Sequence, residues 1–125
     1  MAVELEEVQP IQGRLPASKE EYWLSKALSK LGHQYIYQYQ LGVRGVRGAY
    51  SIDWLVLTTV PLSTPLEFFG EYWHQGQMGS QDRYRIAQID AYFRGRDNPL
   101  EIIWGEQVGS EDEAIEAARE VVGVA

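Results

Sequence analysis

The chain has 125 residues, with 11 Lys and Arg against 18 Asp and Glu, and its formal net charge of -7 argues against a protein that coats nucleic acid without selectivity. It has no cysteine, which excludes disulfides, zinc-thiolate centres and cysteine nucleophiles. No apolar run approaches the roughly 18 residues of a membrane span, and the N-terminus lacks a basic region followed by an apolar one, so one soluble, cytoplasmic domain with no membrane association is expected.

Residues 1–17 carry Pro10, Gly13 and Pro16 without sustained periodicity and read as an N-terminal arm or edge extension, with mobility the simpler expectation. A single domain spans 18–125. Ser18 with Glu21 three residues later has the form of a capping box, and Leu24, Ala27, Leu28 and Leu31 make one apolar stripe that ends at Gly32. The spacing predicts a helix from Ser18 to Leu31. Gln34–Leu41 alternates with a period of two and predicts a strand with Tyr35, Tyr37 and Tyr39 on one face. The stretch at 42–48, GVRGVRG, reads as a glycine-rich hairpin tip whose Arg44 and Arg47 could approach a phosphate backbone; a solvated loop fits the composition equally.

A second strand is expected from about Ala49 to Thr58, then a turn over Pro61–Pro65, then a third strand from Leu66 to about Tyr72. A polar stretch precedes a second helix over Gln81–Phe93, with Ile86, Ile89 and Phe93 as its buried stripe. Pro99–Trp104 predicts a fourth strand, and Ser110 with Glu113 opens a last helix whose Ala114, Ala117, Ala118 and Val121 face inward. The order helix, three strands, helix, strand, helix describes an α/β fold.

Asp53 and Glu67 stand inside the apolar second and third strands. Burying a carboxylate costs several kcal/mol unless a cation or hydrogen bonds compensate. Two acids on successive strands can share a divalent cation, with the Phe68 carbonyl as a third oxygen ligand, and such a site suits phosphodiester cleavage. The alternative is that both acids sit at strand ends in solvated or arginine-paired contacts. His74 has the chemistry of a general base or phosphate ligand, and Trp73 that of a base-stacking platform; a surface histidine and a core or interface tryptophan are the plainer readings. Glu21 is explained by capping unless its carboxylate turns toward the strands.

Together, Glu21 on a first helix, Asp53 in IDWLVL, the LEFFGEYWH strand, an arginine-bearing helix and a short strand resemble the restriction-endonuclease-like PD-(D/E)XK superfamily. The small branch containing the very-short-patch mismatch-repair endonuclease is the most similar, over about residues 18–104. The resemblance implies an αβββαβ core with an additional C-terminal helix and a mixed sheet flanked by helices. It implies a magnesium- or manganese-dependent endonuclease acting on nucleic acid, with DNA the expected substrate and a homodimer a common arrangement. Asp53 and Glu67 would be the metal carboxylates, Glu21 an accessory acid, His74 a helper in hydrolysis and Arg83 a residue framing the site. Phe69 departs from the pattern: much of the superfamily has lysine there, and the mismatch-repair branch has a polar residue. Either His74 takes over activation of the water, or the fold persists in a binding or accessory module that does not cut.

Overall fold

The computed structural model describes residues 8–42, 50–70 and 78–125. Its elements follow the expected order: α1 (Lys19–Lys30), β1 (Tyr35–Gln40), β2 (Ser51–Val56), β3 (Thr64–Phe69), α2 (Ser80–Phe93), β4 (Glu101–Trp104) and α3 (Glu111–Val122), with a short 3₁₀ turn at Gly105–Gln107 before α3. The described strands form one sheet in the order β1-β2-β3-β4. β1, β2 and β3 pair antiparallel, whereas β4 pairs parallel to β3, Leu66 opposite Glu101 and Phe69 opposite Trp104. This is a mixed α/β fold with a C-terminal helix. Among the described residues no helix is long and apolar enough to cross a membrane.

Two apolar clusters fix the layers. Leu24, Ala27 and Leu28 of α1 and Ala114, Ala117 and Ala118 of α3 pack with Trp54, Val56, Leu66, Phe68 and Ile103 of the sheet. Small alanines on α3 let that helix lie close to its neighbour, and the larger side chains come from the strands. Leu55, one residue out of phase with Trp54 and Val56, joins the second cluster with Leu41, Ile52 and the α2 residues Ile89 and Phe93. The strand period of two separates Leu55 from Trp54 and Val56, whereas Ile52, in phase with those two, joins the second cluster beyond Asp53, where it pairs with Tyr39.

Both serine caps form: Ser18 Oγ accepts from the Glu21 N–H at 3.2 Å, and Ser110 Oγ accepts from the Glu113 N–H at 3.1 Å. α1 stops where Gly32 takes a φ of +86°, a conformation with little steric cost only for glycine.

Three expectations change. Of the two readings of the N-terminal stretch, residues 11–14 fit the edge extension and not the mobile one: Ile11 and Arg14 exchange backbone hydrogen bonds, and Ile11 is buried in the core. The Gln12 amide donates to the Tyr35 carbonyl at 2.6 Å and accepts from the Tyr37 N–H at 2.8 Å. One side chain thereby supplies β1 with the hydrogen bonds that a neighbouring strand would give. The three tyrosines of β1 do not share one environment either. Gln38 has a φ of +52°, and across this turn Tyr37 packs on Trp54 while Tyr39 packs on Phe93. Finally, β3 begins at Thr64, so Pro65 lies inside it and opposite Leu55 instead of ending the turn; near a strand's first residue a missing N–H is tolerated.

Candidate active site

The ladder between β2 and β3 runs from Val56↔Thr64 to Trp54↔Leu66 and ends there. At the next position the two acidic side chains take over the pairing. Glu67 Oε1 accepts from the Asp53 N–H at 2.9 Å, and Asp53 Oδ2 accepts from the Phe68 N–H at 2.8 Å. Where the strands part, each amide would lose a backbone acceptor, and a carboxylate on the opposite strand replaces it. The exchange draws Asp53 and Glu67 together inside the protein, Glu67 being only 2% exposed.

Arg85 of α2 completes this arrangement. Its Nη1 donates to Glu67 Oε2 at 2.9 Å and its Nη2 to the Ser51 carbonyl at 2.9 Å, while the guanidinium lies 6.0 Å from the centre of the Tyr50 ring. Glu21 approaches from the first turn of α1. Its N–H is capped by Ser18, but its carboxylate turns toward the sheet and accepts from the Tyr37 hydroxyl at 2.6 Å, so the reciprocal half of the capping box is replaced by a contact to β1.

Three carboxylates therefore lie close enough to feel one another. Burial raises the pKa of Asp53 to about 8, and the charges of Glu67 and Glu21 add to the shift against the opposing Phe68 N–H and Arg85. Burial likewise pushes Glu67 upward despite Arg85, and pushes Glu21 upward despite the Tyr37 hydrogen bond. One guanidinium does not balance three ionised acids, and the upward shifts follow from burial together with that imbalance.

Could these groups hold a hard cation? All the donors are oxygens, and a carboxylate oxygen that accepts one hydrogen bond retains a second lone pair. Asp53 Oδ2 accepts from the Phe68 N–H, and among the described residues no group of three or more acidic or histidine side chains is placed to hold an ion. Two carboxylates, a backbone carbonyl and a substrate oxygen form a set suited to magnesium, which commonly binds through one or two carboxylates and completes its shell with water and phosphate.

Beside the cluster, a groove of about 460 Å³ is lined by Ser18, Glu20, Glu21, Phe68, Phe69 and Gly70, together with Ala17 and Gly105. Phe69 is buried edge-on against Trp104, at 5.8 Å and 75°.

No family model, curated protein or solved structure matches this chain.

The structure brings Asp53, Glu67 and Glu21 together, with Phe68 supplying the N–H that binds Asp53. It does not bring Arg83: that side chain is exposed and its Nε donates to the Met78 carbonyl at 3.1 Å. Two residues away on a helix means roughly the opposite side, and Arg85, not Arg83, faces the acids. Arg85 was detectable, because it stands four residues before Ile89 and eight before Phe93, on the line of the buried stripe; Ile86 is only half-buried. Arg44, Arg47, Trp73 and His74 lie outside the described residues.

Proposed function

We propose that the protein is a magnesium- or manganese-dependent endonuclease hydrolysing phosphodiester bonds in nucleic acid, with DNA the expected substrate. The observation that carries this reading is the pair of acids, half-buried Asp53 and buried Glu67, at the point where β2 and β3 part, with Glu21 near them and only Arg85 as a balancing cation among the described residues. A third carboxylate beside two that already resist ionisation adds like-charge repulsion that a bound divalent cation would offset.

In this reading Asp53 and Glu67 hold the ion with the Phe68 carbonyl. The ion, when bound, supplies an activated water and neutralises charge that grows on the phosphate. Glu21, kept in place by Tyr37, serves as the accessory acid at the groove. His74 retains its proposed part in hydrolysis on sequence grounds, and Arg44, Arg47 and Trp73 theirs in substrate binding. The chain would work in the cytoplasm, with a homodimer as the form that reaches both strands of a duplex.

A second reading has its own support. The buried Phe69 offers no polar group to the site, and both oxygens of Glu67 already accept hydrogen bonds, as a fold-retaining module that binds without cutting would allow. Incubating labelled single- and double-stranded DNA and RNA with the protein in magnesium, manganese or EDTA separates the two. The endonuclease predicts metal-dependent cleavage lost in Asp53→Asn and Glu67→Gln. Cleavage that survives either substitution, or binding without any cleavage, contradicts it.

A further inference from the structure

We propose that Arg85 is an exchangeable cation: it neutralises Glu67 in the metal-free protein and, once a divalent ion takes that carboxylate, turns to hold the phosphate of the substrate. This inference rests on the endonuclease reading and names the phosphate subsite of the same centre.

Arg85 faces two ways. Its Nη1 reaches the buried Glu67, yet the side chain itself is 30% exposed against 3% for Glu67. The same side chain lines a cavity of about 470 Å³, with Tyr50, Ser80, Gln81, Asp82 and Tyr84 as the other walls. A guanidinium binds two oxygens of a phosphate with the same fork that it presents to a carboxylate. A metal ion at Glu67 makes the arginine's charge redundant there, and the cavity is the adjoining space in which an anion can meet it.

The anchoring of α2 permits such an exchange. Its buried residues, Ile89 and Phe93, both lie in the second half of the helix, beyond Arg85. The second anchor of the guanidinium, the Ser51 carbonyl, is neutral and keeps the side chain near the site when the ion pair opens. The inference also accounts for Phe69. With position 69 occupied by a ring packed on Trp104, β3 supplies no cation at that position, and Arg85 of α2 provides one to Glu67.

Two measurements on the full chain test this. Manganese is titrated calorimetrically into the wild type and Arg85→Met, and a labelled oligonucleotide is titrated by fluorescence anisotropy in calcium over a range of salt concentrations. Removing the competing charge is expected to tighten manganese binding severalfold, while the loss of one phosphate contact lowers the salt slope of oligonucleotide binding by about one. Unchanged or weaker manganese binding, or an unchanged slope, overturns the proposal. Should Arg85→Met fold only with manganese present, the exchange is supported. If both it and Arg85→Gln fail to fold in either condition, Arg85 is structural and the proposal falls. A wild type that binds neither manganese nor oligonucleotide refutes the endonuclease reading itself; a wild type that binds both, with variants unchanged, refutes only the role of Arg85.

Discussion

Replacing Asp53 by asparagine should stabilise the metal-free protein above neutral pH. The substituted amide keeps an oxygen for the Phe68 N–H but carries no charge to oppose Glu67 and Glu21. In the wild type the Asp53 pKa rises from 3.8 to about 8, mainly by burial. Between those values the folded protein retains a proton that the unfolded chain releases, so stability falls as pH rises through this window and levels off above it. One proton corresponds to at most roughly 1.4 kcal/mol per pH unit. Because Asp53 shares its titration with Glu67, the loss over the window is expected to be about 2–4 kcal/mol, less than the product of slope and range. Urea unfolding in EDTA at intervals from about pH 5 to 8.5 measures it. Asp53→Asn should flatten the profile and exceed the wild type at the alkaline end. A flat wild-type profile, with Asp53→Asn no more stable at high pH, refutes the argument that buried like charges strain this site.

Other contacts give independent checks. Tyr37→Phe removes the hydroxyl that donates to the buried Glu21 carboxylate, and should cost about 1–3 kcal/mol in urea unfolding at neutral pH; a loss under roughly half a kcal/mol, on the order of an exposed contact, would contradict the geometry. Ser25→Ala leaves the Trp54 indole N–H, which donates to Ser25 Oγ at 2.8 Å in the core, without its acceptor, again at about 1–3 kcal/mol. Gln12→Ala uncovers the Tyr35 carbonyl and the Tyr37 N–H on β1. Little stability should be lost, but sedimentation velocity should detect concentration-dependent self-association through the opened edge. A strictly unchanged sedimentation profile would show that Gln12 does not guard that strand.

The parts of this fold that depend on neighbours along the chain are legible in the sequence alone. Serine caps three residues ahead of Glu21 and Glu113, and apolar positions at helical spacing, locate α1 and α3 because each signal lies within one turn or two. Asp53 and Glu67 stand out since a carboxylate in an apolar strand demands a partner. The identity of that partner is not written locally. Each acid binds the other strand's amide, a consequence of strands that part at one position, and no local pattern encodes that register. Arg83 and Arg85 are chemically alike, so choosing between them requires the phase of α2; Ile86 shifts the apparent stripe away from the line through Arg85, Ile89 and Phe93. The left-handed Gln38 and the strand-like amide of Gln12 depend on contacts across the fold, and nothing in the residues beside them signals those contacts.

The most direct test of the central claim is calorimetric titration of magnesium and manganese into the metal-free protein, in parallel with Asp53→Asn and Glu67→Gln. The account predicts binding by the wild type, with release of a proton from Asp53 near neutral pH, and loss of binding in both variants. Absence of binding to the wild type at millimolar metal, with and without an oligonucleotide present, or equal binding by the variants, would contradict it.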